Sequence, residues 1–121
     1  MAKKQDQFFI VNIPTVSNNY DKDLETCLED FVGESSIQWP CLKCATNEED
    51  VASTLSIHFT KLPKVLIIRL KTSVQHNASI SYSHKLNLEK YYKRLDSEEE
   101  STEFNLIGVI NHFGTVSGGH C

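Results

Sequence analysis

The sequence predicts an α+β fold in a single domain, with a mainly antiparallel sheet and one amphipathic helix. Short segments rich in aromatic and β-branched residues recur along the 121 residues, and such segments favour strands. A stretch at residues 21–32 has its apolar side chains at helical spacing. The length suits one domain with a modest core, and we expect that domain to occupy residues 1–121.

Composition excludes several classes of partner and setting. The net charge is -4, with acidic residues concentrated in two runs, so nucleic acid and anionic membranes are not expected as main partners. No apolar run approaches the ~20 residues that cross a bilayer, and the first six residues lack the apolar core of a signal peptide. Four cysteines, two of them at Cys-x-x-Cys spacing, favour a reducing compartment and a metal site over a disulfide framework. We therefore expect the protein in the cytoplasm or nucleus.

The first predicted elements are a strand and the helix. Residues 8–13 favour a strand that is closed by Pro14. The helix is expected over residues 21–32, capped by the polar loop before it, because apolar residues recur at i, i+3, i+4 and i+7. Those residues are Leu24, Cys27, Leu28 and Phe31. Gly33 is expected to end the helix.

Cys27 is predicted to be a core residue and not a nucleophile. Its neighbours on the same helix face are apolar, and burial among them raises the pKa of a thiol. A nucleophilic cysteine needs the opposite shift, since the thiolate is the reactive form.

The candidate metal site lies in the middle of the chain. Residues 37–44 favour a strand that runs into a Cys-x-x-Cys turn formed by Cys41 and Cys44. This spacing places two thiolates on one turn, which is half of a tetrahedral zinc site. His58 is a possible further ligand, although it lies in a predicted strand. The pair is interpreted either as a zinc half-site or as a reduced turn with two free thiols.

The second half of the chain supplies most of the predicted sheet. Residues 51–59 alternate between apolar and polar, and residues 65–71 form a continuous apolar run typical of a central strand covered on both faces. A short helical turn is expected at residues 89–92, and the acidic run 96–103 is expected to be a solvated loop. Residues 104–111 predict a buried strand.

A polar, glycine-rich turn at residues 114–119 then leads to His120. Glycine permits positive φ and lets another chain approach the backbone closely. A histidine placed there can face a cleft, where its near-neutral pKa suits proton transfer. On spacing alone, an ordinary surface histidine is the commoner outcome.

The order of residues in this last segment resembles a motif of a known family. Residues 108–114 read Gly-Val-Ile-Asn-His-Phe-Gly and are followed by Gly119-His120, which resembles the His box of the ubiquitin-specific proteases. These enzymes are cysteine-protease deubiquitinases. The strand before Pro14 with its helix, residues 62–71 and residues 80–88 resemble further segments of the same family. The family usually has Tyr where this sequence has Cys121.

The resemblance implies a fold and a set of site residues. The fold would be the fingers and palm of a papain-like cysteine proteinase, without the N-terminal Cys box and without the segment after the His box. His120 would be the catalytic general base. The residues around it that would bind substrate are His112, Gly114, Gly118 and Gly119.

The resemblance also implies a zinc site and a partner. Cys41 and Cys44 would be half of the zinc site in the fingers, whose other pair comes from an earlier segment of the family. The partners would be ubiquitin and ubiquitinated proteins. The acidic run 96–103 would correspond to a loop over the basic ubiquitin tail, where acidic side chains would help to steer that tail.

The reaction implied is attack of a thiolate on the carbonyl after the terminal glycine of ubiquitin. A His takes the thiol proton, an Asp or Asn orients that His, and no cofactor is required. Because the sequence has neither the nucleophile box nor the orienting residue, we expect these 121 residues alone to be inactive. Two alternatives stay open: a non-catalytic relative that binds ubiquitin or another partner, and a zinc-ribbon interaction module based on Cys41 and Cys44.

Overall fold

The computed structural model describes residues 4–8, 10–15, 22–39, 51–71, 79–95, 100–115 and 118–121. Within these ranges the chain forms one α-helix, a short 3₁₀ helix and ten short strands. The helices are α1 (Leu24–Val32) and the 3₁₀ helix Glu89–Tyr91. The strands are β1 (Val11–Pro14), β2 (Lys22–Asp23), β3 (Ser35–Trp39), β4 (Val51–Leu55), β5 (Ile68–Lys71), β6 (Ile80–Ser81), β7 (Lys85–Asn87), β8 (Glu103–Asn105), β9 (Phe113–Thr115) and β10 (Gly118–His120).

Helix α1 is capped by a side chain at its N-terminal end and by a backbone hydrogen bond at its C-terminal end. Asp23 accepts a hydrogen bond from the Thr26 N–H at 2.6 Å, which satisfies a donor that the first turn leaves free. The same hydrogen bond lowers the pKa of the Asp23 carboxyl. At the other end the Gly33 N–H donates to the Glu29 carbonyl at 2.7 Å. The expected end at Gly33 is confirmed, whereas the helix starts three residues later than expected because Asp23, and not the loop before it, is the cap.

The core lies between α1, β1 and the segments that follow β4 and β7. Its buried side chains are Val11, Ile13, Cys27, Leu28, Val32, Phe59, Leu62, Leu88 and Tyr91. Cys27 and Leu28 are each 1% exposed, so the prediction that Cys27 belongs to the core is confirmed. Leu24 and Phe31 pack against this core while half-buried.

The strands of the described ranges pair two by two. Three pairs are antiparallel, β3–β4, β7–β8 and β9–β10, and two are parallel, β1–β5 and β2–β6. The predicted α+β class with mainly antiparallel pairing is therefore confirmed. The parallel pair β1–β5 was not expected. In it Arg69 Nε donates to Asn12 Oδ1 at 2.6 Å across the two strands.

Strand β5 corrects the prediction for residues 65–71. The strand begins only at Ile68, and β1 is its partner among the described residues. Ile68 and Leu70 are half-buried while the residues between and after them are exposed, and Val65 is 60% exposed. This strand is covered on one face and not on both. A continuous apolar run shows which side chains could be buried, but not what covers them.

The predictions for residues 51–59 and 104–111 also need correction. Strand β4 stops at Leu55, and Phe59 is buried separately through an isolated bridge to Tyr92. Strand β8 stops at Asn105, and the apolar residues after it are exposed, with Ile107 88% and Ile110 86% exposed. The expected buried strand is therefore wrong for this segment. By contrast, the helical turn expected at 89–92 is confirmed by the 3₁₀ helix.

The acidic run 96–103 is only partly described, since residues 96–99 lie outside the described residues. Its half-buried Glu100 accepts a hydrogen bond from the Leu62 N–H at 3.3 Å and another from the Tyr92 hydroxyl at 3.1 Å. At this residue the expected solvated loop is wrong, because the carboxylate ties the run to the core. In the part of the chain that the structure describes, no helix is long and apolar enough to cross a bilayer.

Candidate functional site

The predicted turn before His120 is an antiparallel hairpin. Strands β9 and β10 pair with the register Gly118 to Thr115, Gly119 to Gly114 and His120 to Phe113. Residues 116–117, between the two strands, lie outside the described residues. The pairing places His120 at the end of β10 and His112 immediately before β9. Both histidines are exposed, so His120 is not part of the core.

Gly114 has a conformation that other residues rarely adopt. Its φ is 135°, and a β-carbon on it would lie 2.5 Å from the Gly119 Cα and 2.6 Å from the Gly118 carbonyl oxygen. The two paired glycines thus allow the strands to approach more closely than side chains would permit.

Gly119 is covered on its other side by His112. A β-carbon on Gly119 would overlap Nε2 and approach Cε1 of the His112 imidazole, and would lie 2.6 Å from the Phe113 carbonyl oxygen. Gly118 differs, because among the described residues other than its chain neighbours no atom lies within 4 Å of its β-carbon position. The face of β10 on which a Gly119 side chain would lie is therefore filled, whereas the opposite face, at Gly118, is open among the described residues.

A shallow pocket of about 190 Å³ lies in another part of the chain, between β7 and β8. Its lining residues are Lys85, Leu86, Asn87, Glu103, Phe104 and Asn105. His120 does not line it, so the expected cleft beside His120 stays a prediction.

The cysteines differ sharply in exposure. Burial raises the pKa of the Cys27 thiol, and the nearby Lys22 ammonium only partly opposes this shift. Cys121, next to His120, is exposed. The Cys27 thiol is therefore neither accessible to a substrate nor readily ionised, and a nucleophile needs both properties.

The predicted metal ligands Cys41 and Cys44 lie outside the described residues. The strands on either side of them are paired, with Trp39 opposite Val51, so residues 40–50 connect neighbouring strands. His58 is exposed. Within the described ranges no group of three or more His, Cys, Asp or Glu residues is placed to hold a metal ion.

Two polar contacts that sequence reasoning missed support the elements around the core. Lys90 of the 3₁₀ helix pairs with Glu29 of α1, and this hydrogen bond raises the pKa of Lys90 to about 12. Glu100 anchors the acidic run as described above. The Lys90–Glu29 and Glu100–Leu62 contacts join residues 61 and 38 positions apart, so no local spacing could have indicated them.

Comparison with known proteins identifies the family. The family model described as ubiquitin carboxyl-terminal hydrolase matches residues 6–121. The chain belongs to this family. The resemblance seen in the His box and the earlier segments is thereby confirmed.

Individual ubiquitin carboxyl-terminal hydrolases match only over a small share of their own length. The probable ubiquitin carboxyl-terminal hydrolase 8 of Schizosaccharomyces pombe is 28% identical over 102 residues, covering 80% of this chain and 21% of the relative. Ubiquitin carboxyl-terminal hydrolase 5 of Saccharomyces cerevisiae is 32% identical over 100 residues, covering 69% of this chain and 12% of the relative. The chain thus spans about a fifth or less of these two curated relatives.

A solved structure supports the fold. The SAGA Ubp8/Sgf11/Sus1/Sgf73 DUB module bound to ubiquitin aldehyde matches with a TM-score of 0.62 and 21% identity, over 93% of this chain and 27% of that chain. This likeness shows that the chain shares the fold of part of the matched chain.

Proposed function

We propose that this chain carries the general base of a deubiquitinating cysteine protease, and that the base is His120. The observation that supports the proposal most strongly is the β9–β10 hairpin, which holds an exposed His120 at the end of β10 in a chain of this family. An exposed imidazole can accept the proton of an approaching thiol and later return it to a leaving amine. The reaction would be hydrolysis of the bond after the C-terminal glycine of ubiquitin.

Cys27 does not supply the nucleophile in this proposal. Cys27 is 1% exposed and its pKa is raised by burial, so its thiol is neither accessible nor readily ionised. We therefore infer that these 121 residues alone do not hydrolyse ubiquitin conjugates. Turnover would require a nucleophilic Cys and an orienting Asp or Asn from other parts of a longer chain.

Ubiquitin is the proposed partner. The similar solved structure holds ubiquitin aldehyde, and this supports, by analogy of fold, a ubiquitin-binding role here. Of the glycines expected to bind substrate, Gly118 has open space where a peptide could pass. Gly114 and Gly119 are already explained by the packing of the hairpin, without a substrate.

The zinc half-site and the cytoplasmic or nuclear location are also proposals. Zinc at Cys41 and Cys44 is supported by their spacing and by the paired strands that precede and follow them. The location is supported by free Cys27 and Cys121 and by the Cys-x-x-Cys pair.

The activity proposal is tested first on the 121-residue chain with a ubiquitin C-terminal fluorogenic substrate. We expect no turnover. Turnover that disappears in Cys27→Ala but persists in Cys121→Ala would show that Cys27 is a nucleophile and that its role as a core residue was misassigned.

The role of His120 is tested in the full-length protein. His120→Ala should lower kcat by orders of magnitude, since loss of a triad member costs up to ~10⁶ in rate, while ubiquitin binding persists. His112→Ala should cost far less. The reverse order of effects would show that the His box had been aligned wrongly.

A non-catalytic ubiquitin-binding module is the second candidate, because Cys27, which lies within α1, is buried. Full-length protein that binds ubiquitin but shows no turnover, with or without His120, would favour this candidate.

A further inference from the structure

The contact between His112 and Gly119 links the two histidines of the candidate site. The His112 imidazole occupies the position that a side chain on Gly119 would take. Gly119 directly precedes His120 in β10, so the ring lies against the backbone one residue before the proposed base.

Gly119 has a close neighbour on two sides. Its Cα lies 2.5 Å from the position that a β-carbon on Gly114 would take, so the absence of that atom lets the paired backbones approach. The His112 ring and the Phe113 carbonyl oxygen fill the direction of its own β-carbon. A backbone that is held between a ring and a paired strand has little freedom to rotate, and the direction of the next side chain follows from that backbone.

We propose that His112 is a positioning residue, which acts through Gly119 to fix the orientation of His120. This inference rests on the proposed function of His120 as the base, and it gives His112 a role different from substrate binding. His112 would stabilise the hairpin in the conformation that presents the His120 imidazole, without itself exchanging a proton with substrate.

Substitutions of the two neighbouring glycines should have different effects on His120. Gly119→Ala would force the His112 ring away and disturb the backbone at His120. Gly118→Ala makes the same substitution in the same strand where no described neighbour is met, and it controls for the substitution itself. The effect of the His112 ring is separated from that of the Phe113 carbonyl oxygen, which Gly119→Ala also meets, by removing the ring. His112→Phe retains a ring against Gly119, whereas His112→Ala removes it.

The experiment uses the isotopically labelled 121-residue chain and NMR at one fixed pH. We measure the backbone amide shift and the ¹⁵N relaxation of His120 in each variant. Gly119→Ala should shift the His120 amide more than Gly118→Ala. His112→Ala should raise the amplitude of fast backbone motion at His120, and His112→Phe should restore the order of the unchanged chain.

A double substitution supplies the most specific readout. In the His112→Ala background, Gly119→Ala should shift the His120 amide less than it does in the unchanged chain, because the ring that it displaces is gone. Additive shifts, equal shifts from the two glycine variants, or unchanged relaxation in His112→Ala would each overturn the proposal.

These measurements need no turnover, so they separate this inference from the proposed function. If the two substitutions have non-additive effects on the His120 amide shift but His120→Ala of the full-length protein stays active, the base assignment fails while the positioning contact stands. If His120→Ala is inactive but the shifts are additive, the base assignment stands and His112 has no positioning role.

Discussion

Removal of the Leu28 side chain should open the core around Cys27. Leu28 and Cys27 are neighbours in α1, and each is 1% exposed. Leu28→Ala leaves a cavity in this core, and buried Leu to Ala changes cost about 2–5 kcal/mol. Each ~1.4 kcal/mol changes an equilibrium constant tenfold. A loss of even about 2 kcal/mol of stability therefore increases roughly thirtyfold the fraction of molecules whose core is open at Cys27.

Cysteine alkylation under native conditions measures that population. In the unchanged chain the buried Cys27 should react much more slowly than the exposed Cys121, which serves as the internal reference. In Leu28→Ala the rate at Cys27, followed by site-resolved mass spectrometry, should rise by the factor derived above, up to the rate of an exposed thiol. The rate at Cys121 should not change.

Leu55→Ala is the matched control for this experiment. It makes the same substitution at a side chain that is 42% exposed at the end of β4, so labelling of Cys27 should stay close to that of the unchanged chain. Two results would refute the reasoning. One is alkylation of Cys27 as fast as Cys121 in the unchanged chain, and the other is an equal response to the two leucine substitutions.

Four further outcomes are expected. Burial raises the pKa of Cys27 in the folded chain, so the thiol of the unfolded chain ionises at a lower pH. The free energy of unfolding should therefore fall as the pH rises above the ordinary value of 9.0. Urea titrations at successive pH values should find this loss in the unchanged chain but not in Cys27→Ala. The pH dependence expected from Asp23 is opposite: its pKa is lowered, so the cap stabilises α1 above pH 3.8, the ordinary value, and this stabilisation is lost on acidification. Circular dichroism should therefore show that Asp23→Ala reduces helicity at neutral pH but not at low pH. Glu100→Ala should lower the denaturation midpoint more than Glu100→Gln, because Gln keeps an acceptor for the Leu62 N–H and the Tyr92 hydroxyl. Metal analysis of the purified chain should find only weakly held zinc that a chelator removes, because Cys41 and Cys44 provide two of four ligands, and one tightly held zinc per chain would contradict this.

Local patterns were sufficient for the helix and the cysteine within it. The i, i+3, i+4, i+7 spacing in α1 and the glycine at its end involve residues a few positions apart, so the sequence contains the whole interaction. The burial of Cys27 follows from the same spacing. The start of α1 was misplaced because several polar residues compete to cap it, and Asp23 is the one whose carboxylate reaches the Thr26 N–H.

The sequence also identified the family before any fold was known. The order of residues in the His box, confirmed by the family match over residues 6–121, carries information that composition and periodicity do not. Glycines at 114 and 119 indicated close backbone approach, and the hairpin confirms it.

Burial of the apolar runs was decided only by the tertiary structure. Residues 65–71 and 104–111 have the composition of covered strands, yet Val65, Ile107 and Ile110 are largely exposed. The parallel pairing of Asn12 with Arg69, the anchoring of Glu100 and the placement of the His112 ring over Gly119 likewise depend on which segments meet. Hydrophobicity shows that a side chain gains free energy when it leaves water, but the partner that covers it comes from elsewhere in the chain, and periodicity within one segment contains no information about that partner.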